Sequence, residues 1–212
     1  MNNKFMGLLA VALLAGPMAS ALADIVVITG VNNQNTDNVL LNPATNVATV
    51  TGTVGPDNLL VNFTSTSGSG LLNANPSGQA TISGGTGNDP FTQFMFWLAG
   101  GDLFTRAVFN INAATDGSTV IRVEGVNING GFFEDDFLVD ANGQNFFTVD
   151  AINGQFISSI TLTAINGATF EDIRQVRLGG GDISEVPEPG SLALLGLGLL
   201  GLGMSQRRKA TA

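Results

Sequence analysis

The chain is 212 residues long, with eight Lys or Arg against seventeen Asp or Glu, a net charge of −9, and no His, Cys or Tyr. All the acids lie between Asp24 and Glu188, where Arg106, Arg122, Arg174 and Arg177 are the only bases, so that stretch carries −13. An exterior of that sign argues against nucleic acid or anionic lipid as its partner, and without His, Cys or Lys it has no Ser-His-Asp or Cys-His nucleophile, no usual zinc site, no disulfide and no Schiff-base chemistry.

At the amino terminus Lys4, an apolar run over 5–14, a breaking Gly16-Pro17 pair and small residues at Ala21 and Ala23 compose a secretory signal peptide. Cleavage is expected before Asp24, which makes 1–23 the signal peptide. A membrane anchor would need roughly 20 continuous apolar residues, and Gly16-Pro17 stops this run at about half that length.

Residues 24–180 follow as one domain with a core of its own. Apolar or alternating stretches recur at 25–28, 47–54, 59–63, 94–98, 103–111, 120–126, 137–139, 146–149, 157–162 and 173–178. They are rich in Val, Ile, Phe and Thr and show no helical period, so each reads as a strand. Asn-Gly pairs begin at Asn129, Asn142, Asn153 and Asn166. Such pairs favour the type I′ turns of hairpins, so the second half is expected to be an antiparallel meander. The fold class is all-β: a single antiparallel β-sandwich, jelly-roll-like, flanked by the signal peptide and a short carboxy-terminal transmembrane helix.

Alternation assigns faces within these strands. Leu103, Thr105, Ala107, Phe109 and Ile111 are expected in the core, with Phe104, Arg106, Val108 and Asn110 facing away. Phe94 and Phe96 should also point inward and Trp97 to the other side. In 173–178 neither face is clean, because Arg174 shares one with Val176 and Leu178 while Arg177 shares the other with Ile173.

Carboxylates are the chemistry that remains. Glu134, Asp135 and Asp136, with Asp140, form the densest cluster. A glycosidase needs two carboxyls about 5–10 Å apart across a cleft, whereas a solvated acidic rim needs only exposure, and the rim is the better reading. The run 84–92 fits the nonapeptide Gly-Gly-x-Gly-x-Asp-x-U-x that binds calcium between turns of a β-roll, with Asn88 and Asp89 as the candidate ligands. One copy supplies half a site, and the alternative is a tight loop ended by Pro90. A loop ion at Asp135 and Asp136, or at Asp116-Gly117, is the other place for Ca2+. No further cofactor is expected.

The chain then opens through Gly179-Gly180-Gly181 into a linker, 181–189, that presents Val186, Pro187, Glu188 and Pro189. A short transmembrane helix is expected over 190–206. Its apolar part, 192–204, holds only Leu, Ala, Gly and Met. At about 1.5 Å per residue it spans roughly 20 Å of a hydrocarbon core about 30 Å thick. Arg207, Arg208 and Lys209, in a basic tail over 207–212, keep the terminus on the cytoplasmic side.

Val-Pro-Glu-Pro, a short Leu/Gly helix and a terminal basic cluster, in that order behind a signal peptide, resemble the PEP-CTERM sorting signal. The resemblance implies that exosortase, an integral membrane transpeptidase-like enzyme of Gram-negative bacteria that make exopolysaccharide, acts near the Pro-Glu-Pro motif. The expected protein is an exported, non-catalytic surface or extracellular-matrix sandwich, anchored in the inner membrane as a precursor, with exosortase and exopolysaccharide as its partners. The alternatives are a carboxylate-dependent glycan-active enzyme and a calcium-stabilised carbohydrate-binding module.

Overall fold

Residues 25–128, 131–141 and 143–180 are described by the structure, a computed structural model. The stretch expected to be a signal peptide, with Ala21, Ala23 and Asp24, the sorting residues Val186, Pro187, Glu188 and Pro189, the stretch expected to be a membrane helix, and Arg207, Arg208 and Lys209 lie outside the described residues.

In chain order the strands are β1 (Ile25–Thr29), β2 (Asp37–Asn38), β3 (Leu40–Leu41), β4 (Ala44–Val47), β5 (Thr49–Val54), β6 (Leu59–Thr64), β7 (Leu72–Asn75), β8 (Thr81–Gly84), β9 (Gln93–Leu98), β10 (Arg106–Thr115), β11 (Gly117–Val126), β12 (Phe132–Val139), β13 (Asn145–Ala151), β14 (Phe156–Ile165) and β15 (Thr169–Gly179). Their antiparallel ladders build two sheets. Sheet A runs β1-β13-β10-β15-β8-β7-β4 with β2 beside β15, and sheet B runs β12-β11-β14-β9-β6-β5-β3. The expected all-β sandwich is therefore the fold. Each stretch read as a strand overlaps one, and the strands that period alone misses (β2, β3, β4, β7 and β8) have two to four residues each.

The second half is not a meander. Only β11 and β12 pair as a hairpin there, while β12 to β13, β13 to β14 and β14 to β15 each cross between sheets in jelly-roll fashion. The Asn-Gly turns at Asn153-Gly154 and Asn166-Gly167 do adopt positive φ at both residues (54° and 78°, 53° and 88°). They close through Gln155 N–H to Ile152 O and Ala168 N–H to Ile165 O. The dipeptide sets a tight local reversal. It does not choose the pairing partner, which follows from burial of both inner faces.

The core is built on phenylalanine. Phe63, Phe94, Phe96, Phe104, Phe109, Phe147 and Phe170 are fully buried between the sheets. Phe96 meets Phe109 edge-on at 5.7 Å and Phe137 meets Phe147 at 5.6 Å, so both contacts join sheet B to sheet A in the favoured T-shaped geometry. Ala107, Phe109 and Ile111 face this core as alternation predicts. Phe104 joins them against expectation, because it precedes β10 and bridges to Ile157 of the opposite sheet as the chain crosses over.

A bulge resolves the unclean faces of β15. Val108 pairs with Arg177 but Asn110 pairs with Arg174, so β15 carries one extra residue there. Gln175 is that residue, with φ of +53°. The extra residue resets the two-residue phase, so Ile173, Val176 and Leu178 all enter the core.

The same ladders fix where the ends emerge. Ile25 pairs with Ala151, the neighbouring Asp150 pairs with Arg106, and Arg106 pairs with Gly179. The domain is therefore entered and left at one end of sheet A, three strands apart, which is about 14 Å at ~4.8 Å per strand.

Candidate functional site

The outer face of sheet B carries the most distinctive surface. β9 is its middle strand, and the alternation of Gln93-Phe94-Met95-Phe96-Trp97-Leu98 buries Phe94, Phe96 and Leu98 while Gln93, Met95 and Trp97 face outward, half-buried. Trp97 is the chain's only tryptophan. It stands opposite Asn62 on β6 and Ser159 on β14, and Met95 stands opposite Thr64 and Thr161. Around the indole the sheet thus offers one amide and several hydroxyls and no charge.

Charge begins one strand further out. On β11, Arg122 and Glu124 lie opposite Thr161 and Ser159. Arg122 donates through Nε to Glu124 Oε1 at 3.0 Å, lies 3.6 Å from Glu134, and sits 3.9 Å above the Phe132 ring. An aromatic surface ringed by neutral hydroxyls and amides, with a guanidinium and carboxylates at its rim, matches a polyhydroxylated neutral ligand better than an ionic one. The sequence placed Trp97 off the core face, but its polar neighbours come from strands far apart in sequence.

The acidic cluster forms no such surface. β12 is an edge of sheet B. Glu134, Asp135 and Asp136 are all exposed on it. Asp135 shares the inner side with Phe133 and Phe137, and an inward-pointing charge of this kind protects a sheet edge from pairing with another chain. Asp140 lies past the strand, where its backbone pairs with Asn145, and Asp116 accepts the Ala141 N–H at 2.7 Å.

In the candidate calcium loop the glycines have a packing role. A Cβ on Gly84 would lie 2.0 Å from Asp89 O, and one on Gly85 would lie 2.7 Å from Leu71 Cβ. Asp89 is exposed, and Asp135 and Asp136 sit three strands away from β9 on the far edge. These candidate ligands are not brought together, and no group of three or more acids among the described residues is placed to hold a metal ion.

Two charged pairs reinforce sheet A instead. Arg106 pairs with Asp150 through Nε and Nη2 and donates to Gln34 O. Arg174 pairs with Asp172, which also accepts from Asn112 at 3.0 Å. The hydrogen bonds from Arg174 to Asp172, and then the Asp172 charge, raise the Arg174 pKa above its ordinary value.

No curated protein matches the chain. Among solved structures it is similar to a Family 29 carbohydrate-binding module, CBM29_1, from Piromyces equi, at 11% identity and a TM-score of 0.31, covering 78% of this chain and 97% of that one. A family model described as the PEP-CTERM protein-sorting motif matches residues 185–209, which contain Val186, Pro187, Glu188 and Pro189 and reach Lys209. That motif implies export and processing by exosortase, a membrane enzyme. This chain therefore carries, behind its β-sandwich, the PEP-CTERM sorting motif of exosortase-processed exported proteins.

Proposed function

We propose that the exported product is a non-catalytic surface or extracellular-matrix protein whose sandwich holds exopolysaccharide against the outer face of sheet B, with Trp97 as the stacking surface. The observation that carries the binding part is the outward indole on the middle strand, with the half-buried Asn62, Thr64 and Thr161 beside it and charge only one strand further out. Sugar rings present C–H faces to an aromatic plane and hydroxyls to amides and alcohols, so this set of side chains suits them. The non-catalytic part is supported by the residue types missing from 24–188 and by the position of Glu134 and Asp136 on one exposed edge strand.

The domain leaves sheet A at Gly179, at the end where Ile25 enters. At most ~3.6 Å per residue, the linker 181–189 holds the sandwich within roughly 30 Å of the processing site in the precursor. Retention of the full chain on exopolysaccharide, lost on Trp97→Ala, is the test. Equal retention of both forms overturns the binding reading, and glycan hydrolysis abolished by Glu134→Gln or Asp136→Asn overturns the non-catalytic one.

A further inference from the structure

A sandwich has four sheet edges, and three of these are blunted. β12 carries Glu134, Asp135 and Asp136. β3 is two residues long. β4 is broken by a register shift at Asn46, whose φ is +53°. Charge, brevity and bulges are the devices that stop edges from recruiting further strands. β1 has none of them: Ile25-Val26-Val27-Ile28-Thr29 is uncharged and wholly β-branched, the composition that favours strand pairing.

Hydrogen bonding shows which side of β1 is open. Ala151 donates its N–H to Thr105 O, and Gly30 donates to Phe146 O. Successive residues of a strand point their N–H and C=O groups to opposite sides. Phe146, Thr148 and Asp150 therefore turn toward β1, and Val26 and Ile28 answer them. The N–H and C=O groups of Ile25, Val27 and Thr29 point the other way, where no strand among the described residues pairs. Beside that open edge Val26 and Ile28 stand on the outer face of sheet A, 42% and 43% exposed.

We infer that β1 is a homotypic docking edge that pairs antiparallel with β1 of a second copy of this chain. Full overlap of the five residues sets Val27 opposite Val27 and Ile25 opposite Thr29, and it brings Val26 of each copy beside Ile28 of the other on one face. The strand is thus its own complement, as a twofold interface requires, and β-branched side chains form the cross-strand pairs. Nothing on it selects a charged partner. One strand edge is a small interface, in the weak and transient class, and two acidic copies repel, so added salt strengthens the pairing. The twofold turns the two ends bearing Gly180 in opposite directions. The contact therefore suits released chains, a consequence that rests on the processing reading above, whereas the pairing itself does not.

The absence of Cys from the chain makes the test direct. Full chains bearing Val26→Cys and Ile28→Cys are mixed in detergent micelles and oxidised. The mixture is expected to give a disulfide dimer several-fold above either variant alone and above a Leu138→Cys control, Leu138 being 79% exposed on the outer face of β12, the edge strand of sheet B. Thr29→Pro, which removes one open-edge donor without touching the ladder to β13, is expected to return the yield to the control level, and Thr29→Ala to restore it. A mixture no better than the control, a dimer indifferent to Thr29→Pro, or an adduct with a different protein overturns the inference. A parent chain that is not retained on polysaccharide, with the dimer intact, overturns the binding reading alone.

Discussion

Trp97 stands opposite Ser159 across the β9–β14 ladder, and both face away from the core, yet Ser159 is only 5% exposed. A serine so covered on an outer face lies between larger neighbours, and its two cross-strand partners are Trp97 and Glu124. The chain has one Trp and no Tyr, so its ultraviolet fluorescence reports this position above all. Acrylamide is expected to quench the emission of the free protein, and bound polysaccharide to protect it. Trp97→Ala should cost about 1–2 kcal/mol or less, as a half-buried side chain does, while abolishing retention on polysaccharide; denaturant melts and pull-downs separate the two effects.

The packing of Phe96 predicts the opposite balance. It is fully buried and contacts Phe63, Phe94, Phe104 and Phe109 at ring separations of 5.7–6.4 Å. Phe96→Ala is expected to cost about 3–5 kcal/mol, enough to unfold much of a marginally stable domain, and urea titration of the variant measures it.

Gln175 supplies a prediction about register. Its deletion removes the bulge and leaves an unbroken alternation in which Ile173, Val176 and Leu178 still face the core and Arg174 and Arg177 face out. A chain lacking Gln175 is therefore expected to keep a cooperative thermal melt, and loss of cooperativity would contradict the bulge. Gln175→Gly keeps the extra residue at a φ that glycine adopts freely, and should stay within about 1 kcal/mol of the parent.

Arg174 and Arg122 should differ although both sit in ion pairs. Asp172, the partner of Arg174, is 5% exposed, so Arg174→Ala strands a largely buried carboxylate. We expect a loss of about 2 kcal/mol, between the surface and buried limits. Arg122→Ala, on an exposed rim, should cost no more than about 1 kcal/mol. The raised pKa of Arg174 means that its contribution is complete below the ordinary arginine range and is lost only as pH climbs through the higher folded value. Melts between pH 6 and pH 9, a window chosen below that range, should therefore show no change attributable to Arg174.

The sheets were legible in the sequence where a period of two persisted. Phe94 and Phe96 against Trp97, and Ala107, Phe109 and Ile111 on one face of β10, follow from alternation alone. The crossings between sheets were not, because Asn153-Gly154 and Asn166-Gly167 specify a reversal and leave the partner open. β15 looked two-faced because a period of two cannot express an inserted residue, and only the pairing of Arg177 with Val108 and Arg174 with Asn110 reveals it. The surface around Trp97 was half legible. Asn62, Ser159 and Thr161 reach it from distant strands, and no local pattern joins them.

Mass spectrometry of the exported product's two ends tests the central claim most directly. Export and exosortase processing predict a chain that begins at Asp24 and ends near Pro187, Glu188 and Pro189, without Arg207, Arg208 and Lys209. A product that still ends at Ala212, unchanged when Pro187, Glu188 and Pro189 are replaced by Ala, would contradict it.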